Sequence, residues 1–277
     1  IAVLGAFRKG DIKSRASRVK PKYGVLTKIG TAHLDTFGSI ANTTQAKFEL
    51  IESLPPNGVG FLNIDDELQV KYNLKNKIKI VWYGLSDKAD VYASDIKYSS
   101  SGMNFKVHFK GDKKSYEFNT KLLGDANVYN ILAGIAVGYE LGLNINELQR
   151  GVNQIKPIEH RLQIKKYGHL TYIDDAYNSN PIGSKMALDV LKLMPGKKIV
   201  ITPGMIEMGD KQYEVNYNFG KFIATSVDLA ILVGSEQTKP IQKGIIKAGF
   251  DNKKLLVLND VKEAIKIAQT YFNNQET

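Results

Sequence analysis

Leu170-Thr171-Tyr172-Ile173-Asp174-Asp175-Ala176-Tyr177-Asn178-Ser179-Asn180-Pro181 carries an apolar run into two carboxylates, a tyrosine, two asparagines and a proline. Residues 170–173 read as a strand. Pro181 sits where a helix begins, because its fixed φ and missing N–H suit the first helical position. A strand whose carboxyl end feeds a helix is the unit of an open α/β sheet, and such sheets bind ligands at that edge. Two readings fit the polar residues in between. One is an Asx-type turn with Asn180 capping the helix; the other is a binding site built from the same residue types.

The alternation continues to the end of the chain. Apolar runs at 198–202, 229–233 and 254–258 read as strands, and stretches at 182–193, 213–225, 240–248 and 261–272 read as helices. That rhythm predicts a parallel sheet covered by helices. Upstream, 22–29 reads as a buried strand, 40–54 as a helix that stops at Pro55-Pro56, and 58–62 as the next strand. Between 77 and 121 short alternating runs such as Phe105-Lys106-Val107-His108-Phe109 are separated by glycine and serine turns, which predicts a small antiparallel sheet. An apolar helix over 127–141 has Gly142 as its C-cap, and a second over 145–155 halts before Pro157. Pro157 is the expected boundary between two domains, 1–157 and 158–277.

A chain of 277 residues is long enough for one large or two ordinary domains. With 43% hydrophobic and 24% charged residues it has the composition of a soluble globular protein. No apolar run approaches the roughly 20 residues that span a bilayer, so no membrane partner is expected. The opening Ile1-Ala2-Val3-Leu4 reads like the middle of a strand, which predicts an excerpt of a longer protein. The absence of cysteine excludes disulfides, thiolate metal sites and cysteine nucleophiles, and fits a cytoplasmic protein. A net charge of +10 suits polyanionic partners such as nucleotides or phosphorylated substrates. The lysines are scattered rather than clustered, so nucleic acid is not expected as a partner.

Further segments combine strand ends or helix starts with chemically capable residues. Ile29-Gly30-Thr31-Ala32-His33-Leu34-Asp35 follows the first strong strand, and His33 there is either structural or a neutral imidazole offered to a metal or phosphate. Lys47 lies amid Ala46, Phe48 and Leu50, where a lysine either snorkels or takes on unusual chemistry. Asn127 and Asn130 open the most apolar helix; Asn127 either caps it or reads a purine edge with an amide that both donates and accepts. Arg161, in Glu159-His160-Arg161-Leu162-Gln163, has the fork geometry that clamps a phosphate. Thr202-Pro203-Gly204-Met205-Ile206-Glu207-Met208-Gly209 follows another strand.

The order of these segments resembles the Mur ligase family. The resemblance rests on Gly30-Thr31-Ala32-His33-Leu34, Ala46-Lys47, Asn127-Val128-Tyr129-Asn130, His160-Arg161-Leu162-Gln163, Asp174 to Pro181, and Thr202-Pro203-Gly204-Met205. It implies the remainder of a P-loop-type central ATPase domain with a small antiparallel sheet, followed by a Rossmann-like C-terminal ligase domain. The implied activity is ATP-dependent amide-bond formation in peptidoglycan precursor synthesis, adding D-alanyl-D-alanine to UDP-MurNAc-tripeptide through an acyl phosphate, with ATP and Mg²⁺ as cofactors. A cytoplasmic monomer is implied as well. Carried over, His33 is a magnesium ligand, and Lys47 is carbamylated so that it helps hold a second metal. Asn127 and Asn130 face the adenine, Arg161 the nucleotide phosphates and Asp174 the ribose. Asp175, Tyr177, Asn178 and Asn180 line the side that receives D-alanyl-D-alanine or the tripeptide end.

The chain departs from the family pattern at several points. Nothing in it reads as a glycine-rich phosphate loop ending in Lys-Ser or Lys-Thr. Val3 stands where the family has a metal-binding glutamate, and valine has no oxygen to offer a cation. Lys28 replaces a usual asparagine and Ala126 a common histidine. This polypeptide by itself is therefore expected to give no ligase turnover. The rival readings are a non-catalytic paralogue acting as a binding protein, a different ligase of the superfamily, and a basic nucleic-acid binder.

Overall fold

The computed structural model describes residues 1–30, 34–99, 101–168, 170–176, 179–206 and 208–273. Two compact units emerge from the contacts: residues 1–97, 102–121 and 125–155 form one, and residues 98–101, 122–124 and 156–277 the other.

The first unit runs α1 (Asp11–Val19), β1 (Tyr23–Val25), α2 (Leu34–Phe37), α3 (Ile40–Glu52), β2 (Val59–Asn63), α4 (Glu67–Val70), β3 (Lys79–Gly84), β4 (Val91–Ser99), β5 (Gly102–Phe109), β6 (Ser115–Thr120), α5 (Asp125–Glu140) and α6 (Ile145–Asn153). Its strands make one six-stranded sheet in chain order, β1 to β6. β1 to β4 pair in parallel, whereas β5 and β6 pair antiparallel. The antiparallel strands expected after residue 77 thus extend the parallel sheet, and β3 itself is a parallel strand, in register Val59↔Lys79 with β2. Alternation within one strand carries no information about its neighbour's direction, which is why the two were not separable in sequence.

Local chemistry explains the helix ends. Ser39 caps α3 by accepting the Asn42 N–H, and the helix closes before Pro55. Asn144 and Glu147 form a reciprocal capping box on α6. At the end of α5 the Leu143 N–H reaches Gly138 O (3.0 Å) and the Gly142 N–H reaches Tyr139 O (3.0 Å), with Gly142 at φ 88°. This double bond pattern needs a left-handed residue, which glycine supplies without a Cβ penalty. α5 buries Val128, Ile131, Leu132, Ile135 and Ala136 and packs on β2 and β3. Phe48, Ile51 and Leu62 form the core beneath α3, where Phe48 stacks on Tyr72 with centroids 3.7 Å apart.

β1 is shorter than the 22–29 expected. Leu26 N–H still bonds Phe61 O (3.0 Å), but beyond it side chains replace the ladder. The Tyr83 hydroxyl donates to Leu26 O (2.7 Å), the Asn63 amide donates to Thr27 O (3.3 Å), and the Ile29 N–H donates to Asp66 Oδ2 (2.8 Å). Apolar periodicity does not report such partners.

The second unit opens with an antiparallel hairpin, β7 (Gln163–Tyr167) and β8 (Leu170–Asp174). It continues α7 (Pro181–Leu193), β9 (Ile199–Thr202), α8 (Gln212–Ala224), β10 (Leu229–Val233), α9 (Lys239–Lys247), β11 (Leu255–Leu258) and α10 (Val261–Asn273). β9, β10 and β11 form a parallel sheet with β10 central. Ala230 and Leu232 face Phe219, Ile223, Ile241 and Ile245 on one side, while Leu229 and Ile231 face Ala264 and Ala268 on the other. A strand buried on both faces reads as an unbroken apolar run, as Leu229 to Val233 does. The hairpin forms a sheet of its own, and Gly168 (φ 58°) turns the chain back after Tyr167.

Candidate functional site

In the first unit the expected residues belong to the segment after β1, to α3 and to α5. Gly30 follows the Ile29–Asp66 contact, while Thr31, Ala32 and His33 lie outside the described residues. Lys47 is half-buried on α3 between Ala46 and Phe48, both at 0% exposure. α5 begins at Asp125, so Asn127 sits inside its first turn and is not the cap that the sequence suggested. Asn127 is half-buried there, and Asn130, one turn further on, is exposed. Between them Tyr129 is half-buried, and burial, then the charge of Asp65, push its hydroxyl up to about 12.

In the second unit the two carboxylates of the opening motif reach back to the residues on either side of Arg161. Asp174 Oδ2 accepts from Lys165 Nζ at 2.6 Å and pairs with His160 Nδ1 at 2.9 Å. Asp175 Oδ1 accepts the Leu162 N–H at 3.1 Å. His160 (φ 60°) and Leu162 (φ 47°) both adopt left-handed backbone. For residues with a Cβ this costs about 1–2 kcal/mol each and persists only where surrounding contacts hold it. Asp174 and Asp175 supply those contacts, so the exposed Arg161 is presented from a turn pinned on both sides. Asn180 caps α7 by accepting the Gly183 N–H (2.9 Å), with Pro181 at the first helical position. The cap reading of the motif therefore holds for Asn180, while Tyr177 and Asn178 lie outside the described residues.

These neighbouring carboxyls are pushed in opposite directions. Partial burial acts to raise Asp174, but hydrogen bonds from Lys165 and His160 outweigh it and hold Asp174 below the usual aspartate range. Burial dominates at Asp175 and raises it, against the Leu162 amide and the charge of Arg161. In an acid titration followed by carboxyl ¹³C shifts, Asp175 is expected to take up its proton first and Asp174 at lower pH. The stabilisation from Asp174 is full above its unfolded-state pKa and is lost as pH falls through its lower folded value, whereas protonating Asp175 removes the cost of burying its charge. The reverse titration order would show that the Lys165–Asp174–His160 cluster does not form.

Three participants escaped the sequence reading. Lys165 carried a legible signal, since it lies in a strand whose partner strand ends at Asp174. Asp65 and Asp66 lie just past the end of β2 as Asp174 and Asp175 lie at the end of β8, and that parallel could have been drawn. The 202–205 turn proves to be held internally: Asn216 accepts Met205 N–H (2.8 Å) and donates to Met205 O (2.8 Å).

The description "Mur ligase middle domain" matches residues 3–138, and "Mur ligase, glutamate ligase domain" matches residues 160–276. A UDP-N-acetylmuramoyl-tripeptide–D-alanyl-D-alanine ligase of Bacillus subtilis (strain 168) is 32% identical over 231 residues, covering 81% of this chain and 49% of the relative. The ligase of that name from Escherichia coli (strain K12) is 27% identical over 237 residues, covering 84% of this chain and 52% of the relative. The chain thus spans about half the length of the curated relatives it matches. A crystal structure of MurF from Acinetobacter baumannii superposes with a TM-score of 0.84 at 25% identity, covering 98% of this chain and 57% of that one. MurF from Thermotoga maritima, solved in complex with ADP, shares the fold with a TM-score of 0.81 at 20% identity, covering 96% of this chain and 60% of that one. Since the family's middle and ligase domains together account for nearly every residue from 3 to 276, the chain belongs to the Mur ligase family.

Proposed function

We propose that this chain supplies the nucleotide-binding and amine-receiving parts of an ATP-dependent ligase that joins D-alanyl-D-alanine to UDP-MurNAc-tripeptide in peptidoglycan precursor synthesis. The observation that carries the reading is the turn around Arg161, held by the two carboxylates of the Asp174 to Pro181 motif. The names of the relatives and the ADP bound by the Thermotoga protein support it. The peptide carboxylate attacks the γ-phosphate of ATP, releasing ADP, and the dipeptide amine then displaces phosphate from the acyl phosphate. Catalysis of such a transfer is mainly positioning and neutralisation of charge on the phosphoryl oxygens. Arg161 provides a fixed cation for that charge, Asn127 and Asn130 the adenine contacts, and Asp174 the ribose contact. Asp175, Tyr177, Asn178 and Asn180 orient the dipeptide or the tripeptide end. We place the working domains at 1–157 and 158–277, in a cytoplasmic monomer.

Mg²⁺ belongs to the same proposal, with His33 and a carbamylated Lys47 as its ligands. An ammonium has no lone pair for a cation, so Lys47 serves only after its amine has taken up CO₂. The described residues do not complete the donor set: no group of three or more His, Asp or Glu able to hold a metal ion occurs among them, and the Val3 side chain offers no oxygen.

Without a glycine-rich phosphate loop in its sequence, the isolated chain is expected to release no phosphate from ATP in the presence of UDP-MurNAc-tripeptide and D-alanyl-D-alanine. Phosphate release above the no-substrate control would contradict this. Val3 favours a second reading, a non-catalytic binding protein on the same fold. Labelling with ¹³C-bicarbonate separates the two: a carbamate resonance that disappears in Lys47→Arg is expected for the ligase, and its absence would favour the binding protein.

A further inference from the structure

Lys165 has no part in the assignment above, although its ammonium lies against the carboxylate assigned there to the ribose. In the β7–β8 hairpin Gln163 stands opposite Asp174, and Lys165 opposite Tyr172. Side chains two places apart share a face of a strand, so Lys165 and Asp174 are diagonal neighbours. Lys165 Nζ donates to Asp174 Oδ2 at 2.6 Å, with the two side chains 28% and 18% exposed. His160 Nδ1 donates to the same oxygen at 2.9 Å, since a carboxylate can only accept. These two donors fill both lone-pair sites of Oδ2. On Oδ1 the described residues supply one contact, the Ala176 N–H at 3.4 Å, which is longer than an ordinary hydrogen bond. Oδ1 is therefore the oxygen left for a further donor. Lys166, the next residue along the strand, is exposed. Lys165 differs from it in being largely covered, and the bond to Asp174 raises Lys165 above the ordinary lysine range, so it stays a cation.

We propose that Lys165 is a positioning residue of the nucleotide site: it holds Asp174 by Oδ2 and cancels the carboxylate charge, so that the ribose contact can stand beside the phosphates. The inference rests on the nucleotide reading of Asp174 and Arg161. A ribose is covalently joined to its phosphates, so an acceptor for its hydroxyls necessarily lies near their charge. An uncompensated aspartate there would accept the hydroxyl but repel the diphosphate, and partial burial would strengthen that repulsion by excluding water. Pairing Asp174 with a fixed cation keeps the acceptor and removes the repulsion. His160 adds a donor to the same oxygen whatever its own charge, whereas Lys165 supplies the constant cation. A fully solvated ion pair would contribute little, but here both side chains are mostly covered, which limits screening.

The test compares the 277-residue chain with Lys165→Met and Lys165→Gln, which remove the charge on different stems, and with Lys165→Arg, which keeps it. Affinities for adenosine, AMP and ADP are measured by NMR titration at low salt and at high salt. Both neutral variants are expected to weaken ADP about fivefold more than adenosine at low salt, the effect of one unit-charge contact in water, with AMP in between. That gradation should shrink at about 1 M salt, where screening acts over a few ångströms. Lys165→Arg is expected to restore the parent order of affinities. A purely structural lysine would instead give losses that do not depend on the charge of the ligand. If the unmodified chain binds the three ligands and the neutral variants lose them equally, or lose none, the nucleotide reading stands and the proposal alone is overturned. If the unmodified chain binds none of the three, the nucleotide reading falls and the proposal falls with it.

Discussion

Gly244→Ala is expected to destabilise the second unit by at least about 3 kcal/mol, the upper part of the usual range for overpacking. α8 and α9 cross at two glycines. A Cβ on Gly244 would lie 2.0 Å from Tyr217 O and 3.2 Å from Gly220 Cα, and one on Gly220 would lie 2.2 Å from Ile241 O. The obstructing atoms are backbone, so no rotamer change relieves the clash. The helices would have to separate, and Phe219, Ile223, Ile241 and Ile245 would lose their packing against β10. Alanine's better helix propensity returns only about 1 kcal/mol, so the steric term decides the sign. Gly134→Ala in α5 is the control: a Cβ there meets nothing within 4 Å, and that variant should gain roughly 0.5–1 kcal/mol. Urea unfolding followed by circular dichroism measures both. A Gly244→Ala protein as stable as the parent would show that α8 and α9 do not cross this closely.

The second large effect is expected at Asn127. Its amide can donate and accept at once, which matches the paired acceptor and donor on an adenine edge and opposes the corresponding groups of guanine. A bidentate contact of that kind is worth about 1–3 kcal/mol of discrimination, roughly five- to 150-fold in affinity. Asn127→Ala should therefore weaken ADP by a factor in that range and leave GDP nearly unchanged, as read by calorimetric titration of both nucleotides. Because the helix begins at Asp125, the variant removes no N-cap. Equal loss for ADP and GDP would assign Asn127 a structural role instead.

How much of this was legible in the sequence depended on the distance between interacting residues. The strand and helix alternation of the second unit was readable because each element is short, buried on one or both faces, and bounded by glycine, proline or a cap. Asn180 and Pro181 announced α7 correctly, and Gly142 the end of α5. What escaped depended on partners far along the chain. α1 has a charged sequence and no side-chain cap of its own, and its first amides are satisfied by Glu49, which accepts from Gly10 N–H (2.7 Å) and Lys13 N–H (3.0 Å). The truncation of β1 depends on Tyr83, Asn63 and Asp66, dozens of residues away. Among the candidate residues, Arg161, Asp174 and Asp175 were recognised singly, but their mutual support depends on left-handed backbone at His160 and Leu162, which no residue type there foretells. The start of α5 was read two residues late, at Asn127 rather than Asp125, because asparagine favours both caps and ligands for the same reason, an amide that donates and accepts.

The proposed binding of an adenine nucleotide is tested by equilibrium titration of the chain with ADP in the presence of Mg²⁺. One saturable site is expected, displaced by ATP and not by GDP. Failure of ADP to saturate, or equal displacement by GDP, would contradict it.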